Sequence, residues 1–226
     1  MSTPVAAAPA AQAHLPGGLR VLLADEHPGV RAGLAALLGS AGLVTPCAEV
    51  DDGNDAWTLL QSAAVDLALV DVALRGMNGF ELLRRLRALG SNTPVLMLSM
   101  HTETGYALQA FEAGANGYIG KDAPAQALVA AAGNVAAGGS HVPAPLADRV
   151  HLLPHGRVRV EPHAHLSARE LRLLRLLSAG VTEADAAQRL RLTPGEAARS
   201  RDRVAQKLRL ADAVDWQRYG KTHGLC

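Results

Sequence analysis

From residue 19 onward the chain alternates between two hydrophobic periods. Short, largely apolar runs occupy 19–24, 43–50, 65–70, 94–99 and 115–119. Runs of this length with no polar alternation suit strands buried on both faces, the pattern of a parallel sheet. Between them the apolar residues fall at helical spacing. Val30, Leu34, Leu37 and Leu38 lie at i, i+4, i+7 and i+8, and Phe80, Leu83 and Leu86 at i, i+3 and i+6. The Ala-rich stretch 124–137 also reads as helix. Strand and helix alternate five times, which predicts an α/β doubly wound domain over 19–138.

The rhythm breaks at 139–165, a stretch with several Pro and five His that reads as a linker, with a short helix near 146–150. From Leu166 the pattern is wholly helical. Ser167-x-x-Glu170, Thr182-x-x-Asp185 and Thr193-x-x-Glu196 mark three helix starts, the middle one a weaker, Asp-containing capping box. Pro194 sits at the favoured first position of its helix, and Gly180 ends the helix that Ser167 begins. A fourth helix follows over 211–223. Short helices joined this tightly predict an all-α helix-turn-helix domain over 166–226.

Composition narrows the classes. Hydrophobic residues make up 49% and aromatic residues 3%, so Leu, Val and Ala must fill the core. Cys47 and Cys226 lie too far apart for a disulfide framework or a CxxC metal pair, which fits a reducing, cytoplasmic setting. No run reaches the ~18 apolar residues of a membrane span, so no membrane partner is expected. Residues 1–18 are rich in Ala and Pro without the features of a signal peptide and read as a flexible tail. The net charge of +1 argues at first against nucleic acid. It is an average, however. Residues 19–124 hold seven Lys and Arg against twelve Asp and Glu, and 148–226 hold fifteen against nine, so an acidic half of −5 precedes a basic half of +6. Charge of opposite sign in the two halves also allows them to attract each other.

In a doubly wound sheet, functional residues gather at the carboxyl ends of strands. Here those ends carry Asp25-Glu26, Asp71 and Ser99, and Lys121 follows the last strand. Crowded carboxylates repel one another, and a hard cation such as Mg2+ relieves that repulsion while leaving room for a phosphoryl group. Lys121, one of only three Lys, adds a point charge. Such a set suits phosphoryl transfer onto a carboxylate.

The segments LRVLLADEHPGVRAGL, DLALVDVALRGMNGFELL and VLMLSMHTETGYALQAFEAGANGYIGKDA, with their spacing, closely resemble the receiver domain of two-component response regulators. The resemblance implies a (βα)5 fold with Asp71 as phosphoacceptor. It implies Mg2+ held by Asp25, Glu26, Asp71 and the backbone carbonyl of Ala73. It assigns Ser99 a hydrogen bond to the phosphoryl group, Tyr118 the role of switch aromatic and Lys121 an ion pair with the phosphoryl. Glu26 stands where the family often has Asp, and Arg75 where Pro is usual, which predicts a looser loop around Gly76–Gly79.

The segment LSARELRLLRLLSAGVTEADAAQRLRLTPGEAARSRDRVAQKLRL resembles the LuxR-type helix-turn-helix of the NarL/FixJ class. Its recognition helix would span about 194–207, with Ala197, Ser200, Val204 and Leu208 facing inward. Arg199, Arg201, Arg203 and Lys207 would meet phosphates or guanine edges of double-stranded DNA. Glu196, Ala198, Ser200 and Asp202 depart from the family, so the DNA sequence read is not transferable; Asp202 is expected to pair with a nearby Arg. Trp216 suits either the core or a dimer contact. The linker histidines, His151, His155, His163 and His165, read as solvated rather than metal-binding.

The resemblance implies a regulator phosphorylated by a sensor histidine kinase, with phosphorylation controlling homodimerisation and DNA binding, and not a metabolic enzyme. One alternative is a receiver acting by protein–protein contact with a degenerate helix-turn-helix or under phosphorylation-independent control. A small-molecule phosphoryl-transfer enzyme is a weaker third reading, because Ala73 stands where phosphatases of similar mechanism carry a second Asp.

Overall fold

The computed structural model of the chain describes residues 18–101 and 103–226. The expected tail, apart from Gly18, and the side chain of Cys47 lie outside the described residues. The chain divides into two compact units, with the boundary between Val160 and Glu161.

The first unit is built on five parallel strands, β1 (Leu19–Ala24), β2 (Val44–Val50), β3 (Leu67–Asp71), β4 (Val95–Ser99) and β5 (Gly117–Gly120), in the order β2-β1-β3-β4-β5. Five helices alternate with them: α1 (Pro28–Ser40), α2 (Gly53–Ser62), α3 (Gly79–Ala88), α4 (Thr104–Ala113) and α5 (Ala125–Ala136). Val21, Leu23, Leu67, Leu69, Leu96 and Leu98 pack with Leu34 and Leu38 of α1 and Leu128, Ala131 and Val135 of α5. On the other face Val70 and Val95 meet Leu60 of α2 and Leu82, Leu83 and Leu86 of α3. Successive strand residues thus serve two different cores, which is why adjacent as well as alternate positions of these runs are apolar. Helix starts are set locally: the Asp52 carboxylate accepts from the Asn54 N–H, and the Asn78 side chain from the Glu81 N–H.

The loop after β3 is not loosened by Arg75. Its guanidinium pairs with Asp51 at 2.5 Å, and its carbonyl accepts from the N–H groups of Gly53 (2.9 Å) and Met77 (2.7 Å). Gly79 follows because the backbone closes on itself there. An added Cβ would lie 2.3 Å from the Asp71 carbonyl oxygen.

The expected linker also carries structure. His141 runs beside Gly117 as a parallel bridge, and β6 (Val150–Leu152) pairs antiparallel with β7 (Val158–Val160). Asn116 anchors this extension. Its buried carboxamide oxygen accepts from the Val95 N–H and from Arg87, each at 3.0 Å, and its NH2 donates to the carbonyls of His155 and Gly156. Gly156 is required at the corner: its φ is +66°, and an added Cβ would sit 2.0 Å from the Gly139 oxygen. The sequence signal for this hairpin is weak because each strand is three residues long and Asn116, which anchors its corner, lies 40 residues before Gly156.

The second unit holds α6 (Ala168–Ser178), α7 (Glu183–Leu190), α8 (Pro194–Leu208) and α9 (Ala213–Thr222). Reciprocal capping boxes form at Ser167/Glu170 and Thr193/Glu196, and Thr182 caps α7. Leu166, Leu171, Leu174, Val204 and Trp216 form the core, so the structure places Trp216 inside the unit. His151, His155 and His165 are exposed as expected, but His163 is fully buried, contrary to its reading as solvated. The reason is tertiary: a 3-10 turn over Pro162–His165 sets its ring against Tyr219 of α9.

Because four hydrogen bonds converge on one buried carboxamide, Asn116→Ala is expected to lower the stability of the first unit by about 2–3 kcal/mol. It should also open the 139–157 segment to proteolysis; urea denaturation and limited digestion check both.

Candidate functional site

Parallel register puts the acidic residues side by side. Ala24 pairs with Val70, so Asp25 and Asp71 leave adjacent strands at the same level. Ser99 pairs with Gly120 on the next strands out, and the Lys121 N–H donates to the Ser99 carbonyl at 2.8 Å. Asp25, Asp71 and Ser99 are all buried. The Lys121 ammonium, only 6% exposed, lies 2.5 Å from Asp25 Oδ2 and 2.7 Å from Asp71 Oδ2. These contacts have ion-pair distance without hydrogen-bond directionality, and both buried oxygens lack a hydrogen-bond donor. One ammonium thus faces two desolvated carboxylates. Such a pocket holds excess negative charge, and its oxygens fit a hard divalent cation.

The other oxygens are oriented by local backbone. Asp71 Oδ1 accepts from the Ala73 N–H at 3.2 Å, and Asp25 Oδ1 from the His27 N–H at 2.9 Å. Glu26 stands at the rim, its side chain one-third exposed and its carboxylate 4.0 Å from His27 Nε2. His27, absent from the residues expected at this site, has Nδ1 3.2 Å from Asp25 Oδ1 and shares with Asp25 and Asp71 a cluster of ligand atoms within 4.8 Å of one another. Its signal was adjacency: the turn after a strand-end Asp brings the residue two places on back to that carboxylate.

Ser99 and Tyr118 meet at a second residue that sequence reasoning missed, His101. Ser99 Oγ accepts from the His101 N–H at 3.0 Å, and the Tyr118 hydroxyl donates to the His101 carbonyl. The His101 ring stacks on Tyr106 of α4 with centroids 4.6 Å apart. Burial raises the Tyr118 pKa, so the phenol stays protonated and remains a donor.

In the second unit, Ala197, Ser200 and Val204 of α8 face inward, as the stripe predicts, with Leu208 half-buried. The four expected cations differ in their surroundings. Arg199 is exposed. Arg201 pairs with Glu183 and with Asp202, the partner expected for that acid. Arg203 and Lys207 both reach Glu170 of α6, at 3.3 and 2.9 Å. Burial would raise the Glu170 carboxyl. The hydrogen bond from the Ser167 N–H and the contact with Lys207 outweigh it and hold the pKa down at about 2.

The response regulator receiver domain family matches residues 21–133. The response regulator UvrY of Escherichia coli (strain K12) is 30% identical over 209 residues, covering 92% of this chain and 96% of the relative. The chain belongs to the response regulator family. The probable transcriptional regulatory protein NarL of Mycobacterium tuberculosis (strain H37Rv) is 32% identical over 198 residues, covering 87% of this chain and 91% of that protein. The crystal structure of a LuxR-family two-component response regulator from Aurantimonas sp. SI85-9A1 aligns with a TM-score of 0.54 at 32% identity, covering 58% of this chain and 94% of that one. This response regulator is therefore of the NarL/LuxR class, with a doubly wound receiver fold followed by a helical output region. Among the described residues, no helix is long and apolar enough to cross a membrane.

The Glu170 shift sets a pH dependence. A carboxyl lowered from 4.5 to about 2 contributes stability that is fully present above the higher value and is lost as pH falls toward the lower one. Glu170→Gln keeps a residue able to complete the capping box but cannot ionise. It should destabilise the second unit at neutral pH and flatten the acid-side loss between about pH 4.5 and 2. Trp216 fluorescence during urea unfolding, in a Trp57→Phe background, measures this.

Proposed function

We propose that this regulator is a cytoplasmic transcription factor whose Asp71 accepts a phosphoryl group from a sensor histidine kinase. Residues 19–138 form the receiver and 166–226 the DNA-binding output domain. The observation that carries the reading is the buried Asp71 carboxylate, paired with Lys121 beside Asp25 at the carboxyl edge of a parallel sheet. A carboxylate oxygen of Asp71 attacks phosphorus, and the bond to the kinase histidine nitrogen breaks. Asp25, Glu26 and Asp71, with the Ala73 carbonyl, would hold Mg2+, which when bound offsets the charge of the phosphoryl oxygens. Lys121 turns from the two carboxylates to a phosphoryl oxygen. Ser99 turns its hydroxyl to another, which disturbs the bond it accepts from His101. The Tyr118 hydroxyl holds the same residue, so its position changes with it and alters the surface around α4. That change controls homodimerisation and the binding of α8 to two DNA half-sites. The chemistry is one phosphoryl transfer per activation cycle, not turnover of a metabolite.

Incubation with acetyl phosphate and Mg2+ should add one phosphoryl group by mass spectrometry. No adduct, or the same adduct in Asp71→Asn, overturns the assignment. For the output domain, Arg199→Ala with Arg203→Ala should reduce promoter affinity at least about tenfold and make the salt slope shallower by about 2. An unchanged slope removes α8 as the reader.

A further inference from the structure

Glu161, His163 and His223 converge in the second unit. Glu161 and His163 flank the start of its first turn, and His223 caps the end of α9, 60 residues after His163 in sequence. One ligand atom from each lies within 4.8 Å of the other two. His163 is fully buried, Glu161 is 7% exposed, and the His223 side chain is 19% exposed. His223 Nδ1 contacts Glu161 Oε2, and His163 Nδ1 lies 3.0 Å from the Tyr219 hydroxyl. Two imidazoles and a carboxylate are a borderline donor set that suits Zn2+, with a fourth position left for water. A Tyr hydroxyl on one imidazole is the kind of partner that orients a metal-binding ring. Tetrahedral bonds of ~2.1 Å place ligand atoms ~3.4 Å apart, and the three ligand atoms here already lie within 4.8 Å of one another.

We propose that Glu161, His163 and His223 form a Zn2+ site that clips the entry of the output domain to its last helix. An ion there replaces the His223–Glu161 contact and adds metal bonds to the side-chain contacts that already join the two segments. This makes the stability of the output domain depend on the metal, independently of the phosphorylation chemistry in the receiver.

The full chain, treated with chelator and titrated with ZnCl2 by calorimetry, should take up one saturable equivalent and show a raised melting temperature. Co2+ in its place should give the visible absorption of a tetrahedral centre. His163→Gln and Glu161→Gln should weaken binding at least about tenfold. So should His223→Gln, whose partly exposed position protects the variant against misfolding. Cys226→Ser, the His151→Gln/His155→Gln pair and Asp71→Asn should each leave this equivalent in place. The absence of saturable uptake overturns the proposal. So does uptake that survives in His223→Gln, or that disappears in Cys226→Ser, in the connector variant or in Asp71→Asn.

Discussion

The first unit is organised around one ammonium held between two buried carboxylates. Lys121 reaches Asp25 and Asp71 because parallel register brings two strand ends level and a third strand delivers the Lys from the far side. One positive charge does not satisfy two desolvated negative ones, and removing any partner leaves a bare charge out of water. The arrangement is therefore tense without being exposed, the condition under which added charge at Asp71 has consequences beyond the pocket. Gly79 shows how tightly the backbone is drawn in: a methyl group there would collide with the Asp71 carbonyl.

The route outward from the pocket is short. Ser99 at the strand end and Tyr118 on the next strand both bind His101, whose ring stacks on α4. On the same side of the sheet, Tyr118 donates its N–H to the His141 carbonyl, and Asn116 holds the hairpin corner. The segment after α5 is thereby built into the receiver edge and is not a free tether. It is tied to the β5 edge by backbone hydrogen bonds from Tyr118 to His141 and from His141 to Asn116.

The output unit shows the opposite balance. Its cations are numerous, yet carboxylates of the same unit already engage Arg201, Arg203 and Lys207. An incoming phosphate must compete with Glu170, Glu183 and Asp202, so the number of cations on α8 overstates what DNA would find free. Glu170 is the hub. It closes the capping box of α6 and pins α8 to it, and its low pKa records both bonds.

Hydrophobic period, capping boxes and strand-end chemistry determined the two-part organisation, the parallel sheet and the meeting of Asp25, Asp71 and Lys121, because each is written within a few neighbouring residues. The roles of His27 and His101 were nearly local and were missed because His near an Asp or Ser is common. Other features depend on residues far apart in sequence. The 139–160 extension rests on Asn116, and the solvated reading of His163 failed because Tyr219 and His223 arrive from α9. The pairing of Arg203 and Lys207 with Glu170 spans more than thirty residues. Tertiary structure decided these, since a side chain's partner is set by which surfaces pack together, and local periodicity carries no record of that choice.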